Sequence, residues 1–156
     1  MPFHKWDTLP DEVISPHYST ATGGTVTGAI IEVGRYRMAG RTGADPHKHP
    51  NEQIIYLLTG TLRARVGDEE RVVEAGEVIH VPPDVVHEIR ALEDSVFLSS
   101  KNLVDGKGSR GWSAAARVDK PRATMLSKPL RRPRKTSAAR VPGRRTRRAS
   151  RPKARR

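Results

Sequence analysis

Cysteine is absent from the 156 residues, which excludes disulfides, thiolate metal sites, iron–sulfur clusters and cysteine nucleophiles. Any metal must therefore be bound by histidine, carboxylate or amide oxygen. No stretch approaches the roughly 20 apolar residues of a membrane span. Residues 1–16 mix His, Lys, Asp and Glu without an apolar run, so neither a signal peptide nor an anchor is expected, and the expected location is cytoplasmic. Acidic residues are missing from one end only. Residues 1–100 carry 9 Lys and Arg against 15 Asp and Glu, whereas residues 101–156 carry 20 against 2. From Lys120 onward there are 16 Lys and Arg, no acid, no aromatic, and prolines at 121, 129, 133, 142 and 152. Such a segment has no apolar face to offset the entropy of chain ordering, and disorder is expected.

What is present between Thr25 and Leu98 is dense punctuation: Gly28, Gly34, Gly40, Gly43, Pro46, Pro50, Gly60, Gly67-Asp68, Gly76 and Pro82-Pro83. Segments of about five to nine residues between turn signals indicate strands. Thr25–Glu32 is rich in β-branched residues, and Gln53–Leu58 is nearly all apolar, as for a strand buried on both faces. Thr61–Val66 alternates, with Leu62, Ala64 and Val66 facing inward, and Gly67-Asp68 turns the chain into Arg71–Glu74. Val78–Val81, Val86–Ala91 and Ser95–Ser99 supply further strands. The fold class is all-β, a small barrel or sandwich, since sheet closure removes exposed edges. No internal repeat occurs. The chain divides into an N-terminal arm at 1–24, a β domain at 25–116 and a disordered basic tail at 117–156, with Trp112 available to pack over the barrel.

Histidines stand at 4, 17, 47, 49, 80 and 87. In a strand, residues two apart project from one face, so His47 and His49 form a chelating pair. Gln53 has the same parity. His87 begins a later strand after Pro82-Pro83, which a neighbouring position in the sheet would bring within about 4.8 Å. Three neutral imidazoles and one amide oxygen suit a single divalent transition metal, Fe, Mn, Ni, Co, Cu or Zn.

Both halves of this pattern resemble the cupin family. Pro46-His47-Lys48-His49-Pro50-Asn51-Glu52-Gln53, followed after six residues by Gly60, is similar to the first cupin motif; Gly76, Pro82 and His87 reproduce the spacing of the second. The resemblance covers about residues 25–100. It implies a double-stranded β-helix (jelly-roll) barrel with His47, His49, Gln53 and His87 around one metal, and chains that pair as homodimers. Three positions depart from the pattern: Gln53 stands where Glu is commoner, Asp84 replaces a turn glycine, and Ala91 replaces a frequent Asn. Asp tolerates a left-handed turn. Glu52 is the other candidate ligand should the strand kink at Pro50. An amide in place of a carboxylate leaves the metal its full charge, which raises Lewis acidity and weakens metal binding.

His80 shares parity with Val78 and is the candidate general base if it points into the cavity. Tyr56 is expected on the outer layer. Arg35 and Arg37 are either carboxylate contacts or a solvated strand face. The tail has two readings: weak nonspecific contact with nucleic acid or anionic lipid, or a passive extension. No stacking aromatic follows Trp112. The expected function is a metal-dependent enzyme acting on a small polar or acidic molecule, of dioxygenase, isomerase or sugar-acid-processing type. The alternatives are a non-catalytic ligand-binding or sensor barrel localised by its basic tail, and a nucleic-acid-associated protein with a vestigial pocket.

Overall fold

Short alternating segments separated by turn residues become ten strands in the computed structural model, which describes residues 3–112, 117 and 118. After a single 3-10 turn at Trp6–Thr8 come β1 (Glu12–Val13), β2 (Thr22–Thr27), β3 (Ile31–Met38), β4 (Gly43–His47) and β5 (Gln53–Thr59). They are followed by β6 (Thr61–Val66), β7 (Glu69–Glu74), β8 (Val78–Val81), β9 (His87–Ala91) and β10 (Ser95–Asn102). Two antiparallel sheets result, in the orders β1-β2-β3-β10-β5-β8 and β4-β9-β6-β7. Their inner faces share one core. Tyr36, Met38, Ile55, Leu57, Ile79, Val81 and Phe97 from the larger sheet pack with Leu62, Ala64, Val73, Ile89 and Ala91 from the smaller. The all-β class and the flattened barrel are as expected.

Two strand expectations need correction. Thr25–Glu32 is not one strand but the end of β2, a turn and the start of β3; Gly28 N–H donates to the Ile31 carbonyl at 2.8 Å and closes that turn. β-branched residues fill the strand ends on both sides, so composition alone hid the reversal. The strand at Gln53 is covered on one face only. Gln53, Ile55 and Leu57 are buried, while Ile54 and Tyr56 are about two-fifths exposed, as was expected of Tyr56 alone.

Residues 1–24 contain β1 and the start of β2, and Ile14, Tyr18 and Ala21 are buried. This segment also covers an edge. Asp45 N–H donates to the Tyr18 carbonyl at 2.7 Å, and Thr20 N–H to the Gly43 carbonyl at 3.0 Å, along the side of β4 that β9 leaves open. Further along β4, Val118 N–H donates to the Pro46 carbonyl at 2.8 Å. Capping an edge strand in this way satisfies main-chain groups that would otherwise face water or another chain. Trp112 packs on its own loop, its indole donating to the Gly108 carbonyl at 2.9 Å under the Lys107 ammonium. The expected disorder and polyanion contacts of the basic tail fall on residues 119–156, outside the described residues.

The turn between β5 and β6 depends on Gly60. Its φ is +89°, and a Cβ there would lie 2.5 Å from the Asp94 carbonyl oxygen. Only glycine meets both demands at no cost.

Leu57 is fully buried and Val78 is 58% exposed. Leu57→Ala is therefore expected to cost about 2–5 kcal/mol in urea unfolding, and Val78→Ala no more than about 0.5 kcal/mol. Equal losses would contradict the assignment of inner and outer faces.

Candidate metal centre

β4 ends and β9 begins at the same point in the smaller sheet, so that His47 and His87 are direct register partners. Their rings lie side by side with centroids 4.1 Å apart. His49 arrives differently from the expectation of one continuous strand. β4 stops at His47, and His49 sits in the following loop. That loop is pinned by the buried Asn51, whose amide donates to the carbonyls of Asn102 and Lys107, both at 2.7 Å. The His49 and His87 centroids are then 4.8 Å apart. One ligand atom from each imidazole lies within 4.8 Å of the other two, and all three rings are buried. This cluster can hold a metal ion.

The protonation of each ring follows from its neighbours. His47 Nδ1 faces the Asp45 carbonyl at 2.7 Å, His49 Nδ1 the Asn51 carbonyl at 3.0 Å, and His87 Nδ1 the Val85 carbonyl at 2.9 Å. A carbonyl oxygen only accepts, so each Nδ1 carries the proton and donates. Burial lowers the pKa of all three from the ordinary 6.5, to about 2 for His47, about 3 for His49 and about 4 for His87; the neighbouring His87 adds to the effect at His47. Each ring is neutral at physiological pH, with a bare Nε2 lone pair. Tautomer control by carbonyls is the usual outer support of metal-binding histidines.

His87 Nε2 is buried with no hydrogen bond among the described residues. His49 Nε2 lies 3.1 Å from Gln53 Oε1, and in this orientation the Gln53 amide donates from Nε2 to Ser99 Oγ at 2.9 Å. A bare imidazole nitrogen and an amide oxygen are both acceptors, and two acceptors at that distance repel. The separation is close to the roughly 3 Å between neighbouring ligand atoms on one metal with bonds near 2.1 Å. The residues therefore fit a cation on three imidazoles and the Gln53 oxygen.

Beside the cluster lies a cavity of about 50 Å³ lined by His47, His87, Gln53, Tyr18, Tyr36 and Lys101, among others. It has room for a few waters or a ligand of similar bulk. Tyr18 stacks on His47 with centroids 4.1 Å apart. Lys101 is 5% exposed, and burial lowers its ammonium pKa to about 7 while Glu32 acts in the opposite direction.

His47, His49, Gln53 and His87 thus come together. His80 does not join them: it is on the outer face of β8, half-exposed, with Nε2 2.8 Å from Glu52 Oε1. The strand does share one face for Val78 and His80, but it is the solvent face; Ile79 and Val81 point inward. The same contact places Glu52 outside, leaving Gln53 at the site. Arg35 and Arg37 are exposed, and Arg37 pairs with Asp11. Asp84 adopts φ +60°, and its N–H donates to the His49 carbonyl at 2.9 Å, tying the turn before His87 to the His49 loop. Tyr18, Ser99 and Lys101 were not foreseen. Tyr18 lies in the segment read as an arm. Ser99 and Lys101 share the parity of Phe97 in β10, which runs three residues beyond the expected end.

The model of the cupin domain family matches residues 34–99, spanning both histidine motifs. These residues are a cupin domain. No curated protein shows a detectable sequence match to the chain. Among solved structures, the chain is similar to an RmlC-like cupin from Shewanella frigidimarina at 16% identity, over 65% of this chain and 90% of that one, with TM-score 0.59. It is similar to the polyketide cyclase RemF from Streptomyces resistomycificus at 19% identity, over 65% and 79%, with TM-score 0.57. KdgF from a Halomonas species gives 19% identity, over 64% and 93%, with TM-score 0.56. At these identities the likeness concerns the fold of the cupin domain. No helix among the described residues is long and apolar enough to cross a membrane.

The low pKa values of the cupin domain's imidazoles bear on stability. Folded values near 2, 3 and 4 lie below the unfolded 6.5, so between pH 6.5 and about 4 the unfolded chain binds more protons. Stability present above pH 6.5 is lost as the pH falls through that window. The urea midpoint of metal-stripped protein is expected to drop between pH 6.5 and 4.5, and to drop less in His49→Gln. A flat midpoint over that range would contradict the assigned protonation.

Proposed function

We propose that the cupin domain binds one divalent transition metal, Fe, Mn, Ni, Co, Cu or Zn, through His47, His49, His87 and Gln53, and that it is an enzyme acting on a small polar or acidic molecule. Dioxygenase, isomerase and sugar-acid-processing chemistry are the classes in view. The observation that carries this reading is the set of acceptors with no protons to share: three buried imidazoles with their protons committed to carbonyls, and an amide oxygen aimed at one of them. A bound metal would supply Lewis acidity toward water, oxygen or a substrate carbonyl or hydroxyl, undiminished by any anionic ligand.

The chain's own part is positioning and desolvation. Ser99 holds the Gln53 amide, Tyr18 backs His47, and apolar Ile14, Met38, Ile89 and Phe97 dry the adjoining wall. Lys101, Tyr18 and Tyr36, with Ser15, Ser19, Ser99 and Ser109, are the proton-bearing side chains that line the cavity; among the described residues no carboxylate lines it, and His80 stands outside it. That placement of His80 also supports a second reading, a ligand-binding or sensor barrel without turnover. We place the protein in the cytoplasm, with a small molecule as its principal partner.

Purified protein is expected to carry about one metal per chain by elemental analysis, falling at least ten-fold in His47→Ala and His87→Ala. Gln53→Glu should retain metal and bind it more tightly, because a carboxylate restores an opposing charge. Metal content unchanged in both alanine variants would overturn the site. Oxygen uptake by the Fe(II)-loaded protein with catechols and dicarbonyls would establish the dioxygenase class, and metal binding without turnover of any small acid tested would favour the binding-module reading.

A further inference from the structure

Lys101 is a buried amine without a hydrogen-bond partner among the described residues. It projects inward from β10 and lines the cavity beside His47, His87 and Gln53. Among the described residues its ammonium makes no hydrogen bond and no ion pair, and only the charge of Glu32 favours it. Glu32 is its register partner on β3, yet the carboxylate of Glu32 is directed elsewhere: it accepts the Ser109 N–H at 2.7 Å and the Thr27 hydroxyl at 3.3 Å. Tyr18 lines the same cavity, and its buried hydroxyl makes no hydrogen bond of normal geometry among the described residues, with Ser15 the polar side chain beside it. Two kinds of donor therefore line one small cavity with no well-formed hydrogen bond to an acceptor among the described residues, and unpaired buried donors are costly.

Charge points the same way. The candidate metal ligands are all neutral, so a divalent ion would keep two positive charges, and a protonated Lys101 would add a third. The nearby carboxylate supplies one negative charge, which leaves an excess that a bound anion would neutralise.

We propose that the cavity is a binding site for a small carboxylate, held by the Lys101 ammonium and the Tyr18 hydroxyl next to the histidine cluster. This rests on the metal-centre reading and narrows it from polar or acidic molecules to anionic ones. Lys101 acts as the specificity-determining residue, choosing an anion over a neutral isostere.

The test uses the full chain loaded with Co(II), titrated with acetate and glycolate and with their amides, acetamide and glycolamide, followed by calorimetry and by the visible spectrum of the metal. The wild type is expected to bind the anions at least ten-fold more tightly than the amides. Lys101→Met should abolish that preference while Co(II) content stays near one per chain, and Tyr18→Phe should weaken anion binding several-fold. A loaded wild-type protein that binds acids and amides alike, or binds neither, overturns the inference, and this comparison needs no variant. A preference that survives in folded Lys101→Met overturns it equally. A chain that takes up no Co(II) overturns the metal-centre reading itself.

Discussion

Three main-chain carbonyls, those of Asp45, Asn51 and Val85, each take the Nδ1 proton of one buried imidazole. That spends the proton each neutral ring has. The opposite nitrogens are left as lone pairs in a region where a charged imidazolium is too costly to form. Acceptors gathered without donors form an unstable arrangement for a protein interior unless something positive lies among them. The chemistry proposed for the site follows from this deficit of protons, and the deficit follows from burial and main-chain geometry.

The fold holds those carbonyls in place by separate means. The Asp45 side chain is fixed by Arg90 at 2.5 Å and Arg117 at 2.8 Å, which orients the residue whose carbonyl faces His47. Arg90 also reaches Glu88 at 3.0 Å, so the network ties β4 to β9 just outside the buried pair. Asn51 is anchored to the end of β10 at Asn102 and to Lys107 beyond it through its side-chain amide. Val85 belongs to the turn that Asp84 links back to His49. Groups far apart in the chain thus arrive in register, and little conformational freedom remains to be lost when a ligand binds.

Much of this was legible in the sequence because it is periodic or punctuated. The Gly and Pro turns announced short strands, the alternation of Leu62 and Ala64 gave the inner face of β6, and the two histidine motifs gave the cluster and the amide beside it. What was missed depends on neighbours in space. Ile54 read as buried because it is apolar, but among the described residues no layer covers the outer side of β5, where Ile54 and Tyr56 are exposed. His80 had a definite parity, yet parity says which residues share a face and not which face is inward. Tyr18 was overlooked because residues before β2 carry no strand period, although they close the edge of β4 and reach His47. Lys101 gave no signal, since a lysine at the end of a strand is ordinarily solvated; only the cavity wall reveals its inward position.

The resulting centre differs from one built with a carboxylate ligand in the sign of its surroundings. Neutral imidazoles and an amide share a cavity with the buried Lys101, and Glu32, the register partner of Lys101, is engaged with Thr27 and Ser109. The central claim is that His47, His49, His87 and Gln53 converge on one ion. X-ray absorption of the zinc-loaded protein reads this most directly: the account predicts three imidazole nitrogens near 2.0–2.1 Å with additional oxygen scattering, and a first shell with fewer than three imidazoles would contradict it.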